Sequence, residues 1–309
     1  MGNRPERRKV IEIVTTPRTL ENRFLGSLLG LAIGDALGMP LADLTVEQAR
    51  ERFGEIRGYE ARNAGRDDEM PAGEITDETE TVLCIAESMT ANNGRVDAEN
   101  INIRLLYLVE GPSRHWMPDA MAAGIEAAFP HDGQLPERAV PDGSLAVAVR
   151  GVPIGLVHSV GGFDPARVGE ETRIVTRTSH PGVAQHQLTL DVALGVAGIL
   201  REEPIEPIQL GGDMSGIAGE RAMIADLLAE AKRDEPFQQV VFDAVNELRP
   251  ADSAGAVAGA FAGAVAGASG IPQGLIDGLE ARIYLSLAAP WLYKTAARRA
   301  GTLIDLRQV

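Results

Sequence analysis

Residues Ala254–Ile271 read AGAVAGAFAGAVAGASGI, a stretch without a charge in which glycine returns at 255, 259, 263 and 267. Four-residue spacing places those glycines on one face of a helix. In a bilayer such a face brings two spanning helices together. In a water-surrounded core it lets a helix lie backbone-close against its neighbours. Alanine and glycine are only weakly hydrophobic, Asp252 stands just before the stretch, and no second hydrophobic span of membrane length accompanies it in the sequence. The expectation is a buried core helix, and no membrane partner. Asn22–Leu37, NRFLGSLLGLAIGDAL, carries the same device, with Gly26, Gly30, Gly34 and Gly38 at the same spacing.

Outward from these two segments the chain reads as helix. Val82, Leu83, Ala86 and Met89 fall at helical spacing. Asp97 is placed to cap a helix that runs to Val109 and stops before Gly111-Pro112. Helices are predicted over Met117–Phe129, Pro165–Thr178, Val183–Leu200, Gly219–Arg233, Pro236–Leu248 and Pro272–Ala297. Strand candidates are VIEIV at Val10–Val14 and SLAVAVRGV at Ser144–Val152, and Phe129–Ser144 reads as a loop. No composition break or solenoid repeat divides the chain. The expected fold is all-α: an N-terminal tail over 1–20 and one compact many-helix domain over 21–309.

Composition narrows the function classes. The 309 residues are 45% hydrophobic, enough for a large core, and carry 29 basic against 44 acidic side chains, a net charge of -15. That balance repels nucleic acid, and with 4% aromatic residues there is little to stack on a base. The one basic cluster, RPERRK at Arg4–Lys9, lies in the tail. A single cysteine, Cys84 in an apolar setting, excludes an internal disulfide framework and suits a reducing cytoplasm. The first residues lack a signal-peptide apolar core and the myristoylation pattern.

Chemistry concentrates in GEITDETETVLC, Gly73–Cys84. Asp77 with Glu80 three residues on is a capping-box pattern, and Glu78 adds negative charge where a helix dipole favours it. A second point of the same kind, Asp252-Ser253, opens the Gly/Ala helix. Two helix starts of this type are either two caps or the oxygen donors of one hard-cation site, for which Mg²⁺ and Mn²⁺ are the natural occupants. Asp35 is embedded in an apolar helix, where a carboxylate is costly unless hydrogen-bonded.

These residues, taken in order, resemble the ADP-ribosylglycohydrolase family across roughly Asn22–Leu279. GSLLGLAIGDALGMP is similar to its opening helix and PAGEITDETETVLCIAESM to its Thr-Asp-Asp-Thr motif. DGSLAVAVRGVPIGL is similar to its Asn-Gly…Met-Arg…Pro-x-Gly loop, TRTSHP to its Thr-His segment, and PADSAGAVAGAFAGAVAGASGIP to its closing motif. The resemblance implies an all-α fold around a cleft holding one or two Mg²⁺ or Mn²⁺ ions. It implies hydrolysis at the ribose anomeric carbon of an ADP-ribosyl or simpler ribosyl conjugate, small or protein-linked. Thr76, Asp77, Glu78, Asp252 and Ser253 match metal-binding positions, with Asp77, Glu78 and Asp252 also the catalytic carboxylates. Asp35, Asp142, Gly143, Ser144 and His180 fall on the substrate side, Asp35 backing the ligands. Departures from the pattern are Glu78 for an Asp, Pro250 for the first Asp of the closing motif, Ala42 for a Glu beside Asp43, and Asp142 for an Asn. They leave a second reading open: a member that keeps the fold, is catalytically impaired, and binds a nucleotide-like ligand or serves structurally.

Overall fold

The computed structural model describes residues 19–111, 117, 119–128, 145–212 and 214–302. Among them the fold is all-α, with a lone β-bridge, Arg62 to Met70, in the loop ahead of the acidic motif. Its helices are α1 (Leu20–Gly38), α2 (Val46–Phe53), α3 (Asp77–Ala91), α4 (Ala98–Glu110), α5 (Asp119–Ala128), α6 (Leu145–Ala148) and α7 (Gly151–His158). They continue with α8 (Pro165–Arg177), α9 (Val183–Arg201), α10 (Ala218–Ala231), α11 (Phe237–Glu247), α12 (Ala251–Ala266), α13 (Gln273–Gly278) and α14 (Arg282–Arg299).

The centre is the antiparallel pair α1 and α12, in the register the glycines demand. A Cβ on Gly30 would meet the Gly259 carbonyl oxygen at 2.1 Å, and one on Gly34 the Gly255 oxygen at 1.8 Å. Gly26 faces Gly263 and Gly38 faces Ala251 in the same way. No side chain larger than hydrogen fits at the glycine positions of these crossings, so the two backbones touch there and exclude water. Ser27 Oγ donates to the Ala260 carbonyl at 3.0 Å inside this seam. The register also sets the site: with Gly38 against Ala251, Asp35 on one helix lies close to Asp252-Ser253 at the start of the other.

Around this pair α11 covers α12, while α7 lies parallel to α9 with Gly151 and Gly155 against the Thr189 and Ala193 carbonyls. By length and composition α1 with its following turn (Leu20–Leu41) and α9 could each cross a bilayer, so apolar spans of membrane length do occur in this chain. Their most apolar windows are 94% and 78% buried in the fold, which makes them core helices here.

Several sequence expectations are corrected. Ser144–Val152 was expected as a strand; Leu145 onward is helix α6, a turn and helix α7. Small Ala and Gly among the valines let that segment pack as helix against α9, and tertiary packing overrides β propensity. The helix expected over Pro272–Ala297 breaks at Leu279–Ala281 into α13 and α14. There the Glu280 N–H donates to the Gly73 carbonyl at 3.0 Å, tying this break to the loop that enters α3. Gly73 takes φ +85°, and Gly278 O stands 2.1 Å from where its Cβ would be. Residues 1–18 of the expected tail, Val10–Val14 among them, and the 129–144 loop lie outside the described residues, as do Asp142, Gly143 and Ser144, while Leu20 already belongs to α1.

Candidate active site

Helix α3 is preceded by its N-cap Thr76, whose own side chain makes no capping bond. The expected self-contained box of Asp77 and Glu80 is therefore not what starts the helix. The cap comes from α1. Asp35 Oδ2 accepts the N–H of Thr76 at 3.0 Å and that of Thr79 at 3.3 Å, and the Thr76 hydroxyl donates to Oδ1 at 2.6 Å. The Thr79 hydroxyl donates to Oδ2 as well. Asp35 is fully buried. A negative group at a helix N-terminus satisfies orphan amides and complements the dipole. A buried carboxylate in α1 thus sets the position of the acidic motif, and both its oxygens are engaged in doing so.

Glu78 is held from two helices. Ser253 Oγ donates to Oε1 at 2.7 Å, and Oε2 pairs with the Thr76 hydroxyl. Thr76 has one hydroxyl proton and a carboxyl on each side, so Asp35, Thr76 and Glu78 close a hydrogen-bond chain only when one carboxyl keeps its proton. Burial, and then the charge of Glu78, raises the Asp35 carboxyl to about 7, in line with that arrangement. Asp252 Oδ1 accepts the Ser253 N–H at 2.7 Å. Burial first, then Glu78 and Asp35, pushes the Asp252 carboxyl well above the usual range.

Asp77 differs. It is 4% exposed, and its Oδ2 has no hydrogen-bond partner among the described residues. Burial, then Glu78, Asp35 and Asp252, raises its carboxyl well above the ordinary value. An unpaired buried oxygen beside three further carboxyls is short of positive charge.

The sequence reading left Arg150 outside the site. It is fully buried; Nη1 donates to the Val175 carbonyl at 3.2 Å and to Thr178 Oγ1 at 3.0 Å, while Nε and Nη2 find no acceptor among the described residues. Burial lowers its guanidinium to about 10 and the charge of Asp77 acts against that fall. Arg150 is thus a buried cation whose charge reaches Asp77. The signal was present as a lone arginine inside the apolar run SLAVAVRGV, at the arginine of the family's Met-Arg loop.

His180 is buried, with Nδ1 paired to Ser179 Oγ at 2.7 Å; burial, then Arg150, lowers its imidazole to about 3. It is a neutral histidine at neutral pH. Cys84 is buried and its thiol is pushed up to about 12, mainly by burial, which makes it a structural thiol. Asp43 pairs with Arg62 and is 76% exposed at its side chain, so it does not turn inward in place of the glutamate missing at Ala42. Pro250 is the N-cap of α12 and offers no side-chain oxygen.

The donors gathered here are carboxylate and hydroxyl oxygens, which suit a hard divalent cation. Among the described residues no three His, Cys, Asp or Glu side chains form a ready metal cage, and Glu78 and Asp35 are bonded to neighbouring hydroxyls. The unpaired Asp77 oxygen is the observation that fits a cation best.

The sequence model of the ADP-ribosylglycohydrolase family matches residues 16–210 and 191–303, so the chain belongs to that family. An uncharacterized protein of Archaeoglobus fulgidus is 28% identical over 90% of this chain and 98% of its own length. The ADP-ribosyl-[dinitrogen reductase] glycohydrolase of Rhodospirillum rubrum is 34% identical over 28% of each chain. A solved structure titled ADP-ribosylglycohydrolase-related protein complex superposes with a TM-score of 0.70 over 90% of this chain and 99% of that one, at 24% identity, a likeness of fold. Family membership supports a glycosidase in general.

Proposed function

We propose that this protein is a metal-dependent hydrolase that cleaves the glycosidic bond at the ribose anomeric carbon of an ADP-ribosyl or simpler ribosyl conjugate. The observation that carries the reading is the unpaired, buried Oδ2 of Asp77 within a group of four carboxyls drawn from three helices. Thr76, Asp77, Glu78, Asp252 and Ser253 would hold one or two Mg²⁺ or Mn²⁺ ions. A divalent ion there would neutralise the cluster, bind ribose hydroxyls and acidify a water.

The chain's own residues supply the rest. The carboxylates face a ribosyl carbon that turns oxocarbenium-like as the leaving group departs, and negative charge stabilises that cation. Of Asp77, Glu78 and Asp252, the carboxylate that the ion leaves unbound would take a proton from the attacking water. Asp35 fixes the turn from which Asp77 and Glu78 project. Arg150 limits how much negative charge the pocket accumulates.

The test is release of free ADP-ribose or ribose from a panel of arginine-, serine- and small-molecule-linked conjugates with Mg²⁺ or Mn²⁺. Turnover lost on adding chelator and in Asp77→Ala is the expected result. Absence of turnover with every conjugate, in protein shown folded, refutes the hydrolase reading. One observation favours a catalytically impaired member instead: both Glu78 oxygens are already bonded within the protein, and Pro250 and Ala42 carry no donor. That reading expects ADP-ribose to bind without a divalent ion.

A further inference from the structure

Large apolar side chains are unevenly exposed on this molecule. Ile283 is 67% exposed, Tyr284 48%, Leu287 62% and Trp291 56%, all on α14. Ile103 and Tyr107, on α4, are also exposed. A groove of about 680 Å³ runs between Tyr107 and the α14 side chains Ile283, Tyr284 and Leu287. A second, of about 350 Å³, continues it along Leu287 and Trp291 toward Thr90. Contiguous apolar surface of this kind marks an interface.

The sequence of α14 says what kind. Ile283, Tyr284, Leu287 and Trp291 fall on one stripe roughly 100° wide. Glu280 stands at its head, in the turn before the Ala281 cap, and Lys294 near its foot. Neither has an ion-pair partner among the described residues; the Lys294 ammonium lies over the Trp291 ring at 5.3 Å. The stripe is symmetric about Leu287. Ile283 and Trp291 lie four residues to either side, Glu280 and Lys294 seven. When two such helices pack antiparallel about a two-fold axis, residues equidistant from the axis meet, and the contact is self-complementary.

We propose that two copies of this chain associate through α14, antiparallel, with Leu287 on the two-fold axis. Ile283 of each copy packs on Trp291 of the other, and Glu280 of each copy pairs with Lys294 of the other. The charge complementarity selects a second copy over an unrelated partner, because one stripe carries both halves of each pair in mirror order. It also selects the antiparallel arrangement, since a parallel one sets Glu280 on Glu280 and Lys294 on Lys294. The net charge of -15 on each chain opposes this at low salt. The measurement is therefore made at about 0.15 M ionic strength, where charges beyond roughly 8 Å are screened.

Sedimentation equilibrium of the full chain across the micromolar range is expected to show the mass of two chains, and Leu287→Asp the mass of one. Glu280→Lys and Lys294→Glu alone should each yield single chains, because each sets like charges opposite one another. An equimolar mixture of those two variants should regain the two-chain mass, since both ion pairs re-form between unlike copies. That recovery separates pairing from a folding defect, with circular dichroism confirming native helix in each variant. A single-chain mass for the wild type at all concentrations overturns the proposal. So does a two-chain mass that persists in Glu280→Lys, or a mixture that does not recover.

Discussion

Asp35 Oδ2 accepts the backbone N–H of Thr76 at 3.0 Å across 41 residues of sequence, so a carboxylate buried in α1 serves as the N-terminal cap of α3. Asp35→Ala would leave the Thr76 and Thr79 amides and the Thr79 hydroxyl without their acceptor, while the Thr76 hydroxyl keeps Glu78. The expected loss is about 3 kcal/mol or more in urea unfolding, given the cost of stranding buried donors. Asp35→Asn keeps one acceptor oxygen and should lose less. Equal stability of wild type and Asp35→Ala would show that the cap contributes nothing.

Asp77→Asn should stabilise the protein in the absence of metal and abolish Mn²⁺ binding. Its carboxyl is raised by burial and by Glu78, Asp35 and Asp252, so at neutral pH the folded state works against its ionisation. A raised folded value for an acid means stability that declines as pH climbs above the unfolded value near 3.8, and asparagine removes that decline. The gain should be present at pH 7 and vanish below about pH 4. Paired thermal melts and Mn²⁺ calorimetry check both halves, and a lower melting temperature for the variant at pH 7 contradicts the first.

Gly34→Ala places a Cβ 1.8 Å from the Gly255 oxygen in the α1–α12 seam. Overpacking against backbone, which cannot swing aside, should cost about 3 kcal/mol or more. Gly169→Ala, in α8 with nothing within 4 Å of its Cβ, should instead gain about 0.5–1 kcal/mol from helix propensity. Equal effects of the two substitutions in chemical denaturation would refute the seam.

Arg150→Met removes the buried cation behind Asp77. Mn²⁺ should then bind several-fold more tightly, because one positive charge no longer competes for the carboxylates. Calorimetry showing unchanged or weaker binding would place Arg150 outside the electrostatics of the site.

Away from the site, Glu171 accepts from Arg167 Nε at 2.9 Å and Arg299 Nη2 at 3.2 Å, and pairs with His158 Nε2 at 2.8 Å. Burial alone would raise its carboxyl, but the His158 hydrogen bond and charge, Arg299 and Arg167 outweigh it and hold the value below 4.5. A depressed folded value means stability that is complete above pH 4.5 and lost as pH falls through the folded value. The stability deficit of Glu171→Gln should therefore be largest at neutral pH and shrink under acid. A deficit independent of pH between 7 and 3 would rule this out, the range being that over which carboxylates titrate.

The all-α class, the glycine-faced seam and the two oxygen-rich helix starts were legible because each is a local pattern: a four-residue spacing, or an acidic turn ahead of an apolar run. Cys84 as a buried thiol and Asp97 as a cap were legible for the same reason, and both hold in the structure. The strand expected at Ser144–Val152 failed because β propensity is a weak preference that packing against α9 reverses. Arg150 matched the arginine of a family loop but was given no role in the site, because nothing in its neighbours shows that a lone arginine faces inward.

By itself, the sequence determined the all-α class, most of the helices and which residues carry oxygen donors, since spacing and residue type are local properties of the chain. Tertiary structure decided what those donors do. The antiparallel register of α1 on α12 places Asp35 where it caps α3, lets Ser253 reach Glu78 across 175 residues, and leaves Asp77 with an oxygen that has no hydrogen-bond partner among the described residues. A hydrogen bond needs partners within about 3 Å, and only the packed fold brings residues so far apart in the chain to that distance.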